Sequence, residues 1–313
     1  MNYPPYDKMY EIVTDAFKHT DAKNPIDHEL VKSAFKKKPK NTHKGSSGSL
    51  LVCAGSPGLT GAGCLSTEAA LRCGCGLVTL CCAKELNTIY EIKLTEAMTL
   101  PVESREGIIK KEAFDKIFEK LNLCDALLYG PGLSRDENIK ELLSKLLKNT
   151  KKPVVIDADG LYALAQDASM LKSVSVPVII TPHIGEFVRL TGYDKEYILN
   201  NLKNVAKDFA KKHNVIVVLK SHKTVVSDGE NVFENVLGSP AMAVGGTGDV
   251  LSGMIASFLA QGHSPLLSAL AGVYLHSLAA DMATLEMGEM SLLPRDIIRY
   301  ICYASKITSE KNK

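Results

Sequence analysis

The stretch PAMAVGGTGDVLSGM, from Pro240 to Met254, sets Gly245, Gly246, Thr247 and Gly248 directly before the carboxylate of Asp249. An apolar helical pattern then begins at Val250. Glycines let the backbone take positive φ and approach a ligand closely. A helix start offers unpaired N–H groups and partial positive charge. The combination makes a site for a phosphate or a developing oxyanion. Asp249 at its mouth has two compatible readings. It can cap the helix, worth about 1 kcal/mol, or take a hydroxyl proton as that oxygen attacks phosphorus. In phosphoryl transfer, positioning and charge neutralisation do most of the work. The helix dipole is expected to keep this carboxylate ionised and therefore a weak base.

Other segments offer polar groups at comparable places. CAGSPGLTGAG (53–63) joins a strand to a helix and allows a ligand near Gly61 and Ala62, but it lacks both G-x-G-x-x-G and a following acid, and no Gly-Lys-Ser/Thr occurs anywhere. GPGL (130–133) is a similar turn. In TPHIGE (181–186), His183 either bonds a ligand or is satisfied by neighbouring loops. Glu186 either orients water or Mg²⁺ or supports the next helix's first turn. In LKSHKT (219–224), Lys220 either neutralises phosphate or is an exposed edge charge. Asp157 and Asp159 in DADG either hold metal-bound water or cap a loop. No Ser-His-Asp order, H-E-x-x-H, EF-hand loop or paired-cysteine site is present.

The elements that must carry these segments read as α/β. SLLVCAG, LVTLCC, DALLYG, PVVIDA, VPVIITP and VIVVLKS are near-continuous apolar runs, the pattern of strands covered on both faces. Helices are predicted over 60–73, 135–148, 197–213, 250–261, 265–285 and 294–306, and KTVVSDG with VFENV predicts a hairpin at the sheet edge. The expected architecture is a central, mostly parallel sheet with helices on both faces, one domain over 41–313 behind an N-terminal extension, 1–40. Such sheets bind ligands where strands end and the chain leaves for a loop. The five segments fall just there, on one rim.

Composition narrows the function further. Of 313 residues, 37 are Lys or Arg and 35 Asp or Glu, so the net charge of +2 gives no reason to expect nucleic acid. The absence of tryptophan gives little support to base-stacking platforms. KKKPK (36–40) reads as a solvated surface run. The eight cysteines form no C-x-x-C pair, which fits free buried thiols in a reducing cytosol. No signal peptide and no apolar run of membrane-spanning length is read from the chain, and a cytoplasmic protein is expected.

Taken in order, HKG (43–45), GPGL (130–133), TPHIGEF (181–187), LKSHKT (219–224) and GGTGDVLSGMI (245–255), with the late GVYLH (272–276), resemble the ADP/ATP-dependent NAD(P)H-hydrate dehydratase family of the ribokinase-like superfamily. The resemblance implies a repair reaction. A nucleotide phosphorylates the ring hydroxyl of the S epimer of hydrated NADH or NADPH, and phosphate then leaves to restore the double bond. By motif position, Asp249 would be the base and Gly245 to Gly248 the anion hole. Ala62, Gly132, His183 and Asp249 would contact the hydrated dinucleotide. Lys220, Ser221, His222, Lys223, Thr224 and Gly248 would hold ADP or ATP, with Mg²⁺ bridging its phosphates and Glu186 reaching the ion through water. A homotetramer and a separate epimerase are implied as well. The chain departs from the family pattern at Ile184, where proline is usual, and in the lead-in LGSPAMAV. The alternatives are a thiazole or pyrimidine alcohol kinase of the same superfamily, or a nucleotide-binding regulator without turnover.

Overall fold

The computed structural model describes residue 11 and residues 15–18, 20–35 and 43–310; the KKKPK run lies outside them. In chain order the strands are β1 (Ser49–Cys53), β2 (Leu77–Ala83), β3 (Met98–Val102), β4 (Ser104–Arg105), β5 (Ile108–Ile109) and β6 (Ala126–Tyr129). They continue as β7 (Val154–Ile156), β8 (Val178–Ile180), β9 (Ile216–Leu219), β10 (Val225–Ser227) and β11 (Val232–Glu234). The main sheet has nine strands in the order β11-β10-β9-β8-β7-β6-β1-β2-β3, and β4 and β5 pair separately. Every pairing from β9 to β3 is parallel, and the expected edge hairpin is β10 with β11.

Leu50, Leu51, Val52 and Cys53 are all fully buried. Successive side chains of a strand point to opposite faces, so both faces of β1 must be covered. Two helical groups cover the sheet. The Thr60–Arg72, Thr247–Ala260, Pro265–Met287 and Pro294–Glu310 helices pack together, and those between Phe114 and His213 form the other group.

Several elements differ from the sequence reading. The helix expected over 197–213 is two, Lys195–Asn200 and Leu202–His213, broken at Asn201. Asparagine competes for the backbone with its own amide, and two fall side by side there. Strand β3 was not anticipated; it contains Pro101, which is tolerated because β3 is an edge. The Pro265–Met287 helix, expected over 265–285, has 23 residues and is by length and composition apolar enough to cross a membrane, where the sequence reading found no such run. Here 83% of its most apolar window is buried inside the protein, as in a core helix. Within the stretch read as an extension, Ile26 N donates to Glu234 O (2.8 Å) and Glu234 N to Asn24 O (2.9 Å), so this segment covers the edge of β11. Ile26, Val31 and Phe35 join the core.

From β1 the chain runs outward to β2 and β3, then returns to β6 on the other side of β1. The loops after β1 and β6 therefore part at a switch point, where open α/β sheets form their crevice. Gly55 N donates to Pro131 O across it (2.8 Å).

Candidate active site

The Thr60–Arg72 and Thr247–Ala260 helices lie side by side with their amino ends at this rim. Leu65 meets Gly246, the backbone of Ser66 meets Gly253, Ser257 Oγ donates to Ala70 O (2.8 Å) and Gln261 Nε2 to Cys73 O (3.0 Å). Gly253 permits the approach, because a Cβ there would overlap the Ser66 carbonyl.

The second helix begins at Thr247, not at Val250 as its apolar pattern implied. Gly246 is the residue before it, at φ +101°, and Asp249 lies in the first turn without capping the helix. Of the three glycines expected to use positive φ, only Gly246 does. Gly245 is exposed, while Gly248 leaves room for Lys220, whose Nζ would stand 3.2 Å from a Cβ at that position. Thr247 is tied inward: its N–H reaches Val244 O (3.3 Å), and its hydroxyl lies near the carbonyls of Val244 (2.9 Å) and Met242 (3.0 Å). Among the described residues, the N–H groups of Gly248 and Asp249 meet no acceptor. They are the free donors of this helix start.

Five ionisable groups converge here. Lys220 Nζ pairs with Oδ1 of Asp157 at 2.9 Å, the lysine side chain 20% exposed and the aspartate 1%. Asp157 sits at the end of β7, before Ala158, which takes φ +49° and turns the chain so that Asp159 joins the same rim. Burial pulls the Lys220 ammonium down, but Asp157, Glu186 and Asp249 together raise it above the ordinary lysine value. Asp249 keeps part of its surface open but is packed round on most sides. Burial first, then Asp157, pushes its carboxyl up to about 7 against the opposing pull of Lys220. The expected ionised, weakly basic Asp249 is thus corrected: desolvation and neighbouring carboxylates outweigh the helix start. Glu186 is likewise pushed up to about 6, by burial, with Lys220 opposing.

His183 caps the Ile184–Thr191 helix in a reciprocal box with Glu186: its Nδ1 accepts from Glu186 N (3.2 Å), and Glu186 Oε2 accepts from His183 N (2.8 Å). An Nδ1 that accepts leaves the neutral ring's proton on Nε2, which stands 3.5 Å from Oε1 of Glu186. Gly185 makes room, since a Cβ there would stand 2.9 Å from the ring. HKG repeats the device: His43 Nδ1 accepts from Ser46 N (3.2 Å) and Ser46 Oγ accepts from His43 N (3.1 Å). That turn precedes β1, at the other end of the sheet, where Gly45 and Ser46 line a separate depression of about 490 Å³.

The sequence candidates fall into two groups, and Ala62 and Gly132 do not line the cavity that brings most of the others together. Gly132 packs on Ala62, a Cβ there standing 3.0 Å from Ala62 Cβ. Its loop is anchored by Ser134 N donating to Asp159 (2.8 Å), which connects this wall to the carboxylate cluster. That cavity, of about 620 Å³, has a lining that includes His183, Lys220, Ser221, His222, Thr224, Thr247 and Gly248. Lys223 is not brought in; its ammonium points to Asp21 (3.4 Å). Asn235 and His276 also line this cavity and were not singled out as site residues. His276 lies in GVYLH, the one signal that marked it.

The sheet order, the crevice at its switch point and the glycine-led helix start define a ribokinase-like fold. A ribokinase-like superfamily protein of Enterococcus faecalis superposes with a TM-score of 0.77 at 28% identity, over 90% of this chain and 95% of its own. Residues 50–302 match the family model for NAD(P)H-hydrate dehydratase, and the chain belongs to that family. It is 35% identical over 259 residues to the ADP-dependent (S)-NAD(P)H-hydrate dehydratase of Lactiplantibacillus plantarum, covering 82% of this chain and 88% of the relative. It is 37% identical over 283 residues to the bifunctional NAD(P)H-hydrate repair enzyme of Moorella thermoacetica, covering 90% of this chain. The chain spans about half the length of that relative, 53%. The ADP/ATP-dependent NAD(P)H-hydrate dehydratase of Bacillus subtilis, co-crystallised with ATP and Mg²⁺, superposes with a TM-score of 0.78 at 28% identity, over 91% of this chain and 99% of its own.

Proposed function

We propose that this chain returns the S epimer of hydrated NADH or NADPH to the reduced dinucleotide, with ADP or ATP as phosphoryl donor. One piece of geometry carries the proposal. Lys220 Nζ stands between Asp157 Oδ1, at 2.9 Å, and the bare Cα of Gly248, in the helix turn that bears Asp249. A cation, free main-chain donors and a base near its working pH therefore share one place.

The ring hydroxyl, brought against Asp249, gives its proton to that carboxylate as its oxygen attacks the terminal phosphorus. The bond to the bridging oxygen breaks, releasing AMP from ADP or ADP from ATP. Lys220 and the N–H groups of Gly248 and Asp249 take up the charge of the migrating group. A carboxylate held at about 7 suits proton transfer near neutrality. The ring nitrogen's lone pair then expels phosphate, and loss of a ring proton restores the double bond. Ala62, Gly132 and the Nε2–H of His183 hold the dinucleotide; Lys220 to Thr224 and Gly248 hold the nucleotide. Mg²⁺ would be carried on the nucleotide's phosphates. Bound there, the ion would neutralise phosphate charge, and Glu186 is the carboxylate to orient its waters.

The test is incubation of the purified protein with hydrated NADH, Mg²⁺ and ADP or ATP while nicotinamide absorbance is followed. Recovery of absorbance from the S epimer alone supports the proposal. A stable phosphorylated vitamin precursor points to a kinase, and binding without turnover to a regulator. Consumption of both epimers without added epimerase would contradict the need for a separate one. A cytoplasmic homotetramer belongs to the same proposal, checked by cell fractionation and sedimentation velocity.

A further inference from the structure

One face of the Pro265–Met287 helix holds the segment that walls the 620 Å³ cavity. Ser277, Asp281 and Thr284 are spaced four and three residues apart, so their side chains share that face. Ser277 Oγ accepts from Asn235 Nδ2 (2.9 Å), Asp281 Oδ2 accepts from Gly238 N (2.8 Å), and Thr284 Oγ1 lies 3.5 Å from Ser239 Oγ. The segment then runs along the cavity, which Leu237, Gly238, Ser239, Pro240, Met242 and Ala243 line. It leads to the helix start that bears Asp249, where the Thr247 hydroxyl reaches back to the Met242 and Val244 carbonyls (3.0 and 2.9 Å). Asp281 itself does not line the cavity.

A carboxylate is an unfavourable choice for this row on stability alone. Asp281 is largely enclosed, and among the described residues no cation pairs with it. Burial pushes its carboxyl up to about 6, with the Gly238 N–H opposing. A neutral acceptor would hold Gly238 without that penalty, but a hydrogen bond to an ionised acceptor is roughly twice as strong. The carboxylate thus weakens the fold and strengthens the grip on Gly238. Gly238 is exposed and takes φ +108°, so its N–H can turn to water when the acceptor is lost. Loss of the bond then frees the segment and leaves the core intact.

We propose that Asp281 is a positioning residue that acts through Gly238 to hold the 237–243 wall in the form that receives the nucleotide, without touching the nucleotide itself. This rests on the nucleotide-dependent reaction proposed above. A wall held before the ligand arrives spares binding the cost of ordering it. Asp249 keeps its own supports, the approach of Gly253 to Ser66 and the Lys220–Asp157 pair, so the chemical step is expected to persist.

The better bound of ADP and ATP, with Mg²⁺, is titrated by calorimetry into wild type, Asp281→Ala and Asp281→Asn, and kcat is read at saturating nucleotide from the absorbance assay. Asp281→Ala is expected to raise Kd about tenfold, about 1.4 kcal/mol, with kcat changed by less than about twofold. Its amides over 238–244 should exchange hydrogen faster, while those of the Thr247–Ala260 helix should not. Asp281→Asn keeps an acceptor oxygen for Gly238 and sheds the buried charge. It is expected to hold Kd within about threefold of wild type and to melt no lower at pH 8. Wild-type affinity in Asp281→Ala, a loss of kcat in place of affinity, a full loss shared by Asp281→Asn, or an alanine variant unfolded at the assay temperature overturns this inference. Each of those leaves the nucleotide reaction standing. Failure of the wild type to bind either nucleotide overturns both.

Discussion

Replacing Asp249 by asparagine is expected to abolish repair and yet stabilise the protein. The carboxyl is moved from 3.8 to about 7, chiefly by burial and then by Asp157. Each unit corresponds to about 1.4 kcal/mol, so the displacement sets a ceiling of about 4 kcal/mol. The side chain is partly open to solvent, and screening brings the expected figure to about 1–2 kcal/mol. A folded-state value above the unfolded one means that the native state holds the proton more tightly. Between about pH 4 and pH 7 the unfolded chain releases it and the native chain does not, so native stability falls across this window. The loss is complete above pH 7 and absent below about pH 4. Asp249→Asn, which never ionises, escapes it. Its melting temperature should exceed wild type by about 1.5–3 °C at pH 8. The difference should shrink as pH falls through 7 toward 4. Loss of a general base should lower kcat by roughly 10²–10⁴-fold, with wild-type kcat/KM rising between pH 6 and pH 8 as the carboxylate forms. Matched scanning calorimetry at pH 8 and pH 5, with the absorbance assay, measures both. A variant no more stable than wild type at pH 8, or one retaining near-normal kcat, refutes the reasoning.

Lys220→Ala should weaken nucleotide binding and also destabilise the fold by about 3 kcal/mol, because Asp157 is left buried and unpaired. Adding Asp157→Asn should restore most of the melting temperature but not the affinity, as thermal melts and nucleotide titrations would report. Gly246→Ala should cost about 1–2 kcal/mol through its positive φ, and more if Leu65 cannot move from 2.8 Å, measured by urea denaturation. Gly253→Ala should cost about 1–3 kcal/mol by forcing the two parallel helices apart at Ser66, and the same denaturation series should show it below Gly246→Ala in stability.

The strands of this protein are written plainly in its sequence because a strand buried on both faces has no polar alternation to confuse it; LLVC and ALLY are fully buried. β3 was not legible because an edge strand carrying a proline lacks that signature, and Asn200–Asn201 broke a helix whose apolar period ran on through the interruption. The chemical segments were legible as loops at strand ends, and Gly246 as a turn, since local backbone geometry is a property of adjacent residues. The caps at His43 and His183 were not read from the sequence, although H-x-G followed by serine or glutamate repeats with one geometry.

What Asp249 does in its turn was not local. Its own neighbours in sequence place it at a positive helix end, which argues for an ionised acid. Burial among distant segments, and then the carboxylate of Asp157, raise it instead, and Lys220 is drawn in from a third strand to oppose them. Asn235 and His276 stand 41 positions apart, and only the folded chain sets them in one cavity wall. Sequence alone thus determined which backbone turns exist and where strands end, because those depend on contacts a few residues long. The tertiary structure decided proton affinity and polarity in the cavity, because desolvation and Coulomb interactions depend on distance in space and not along the chain.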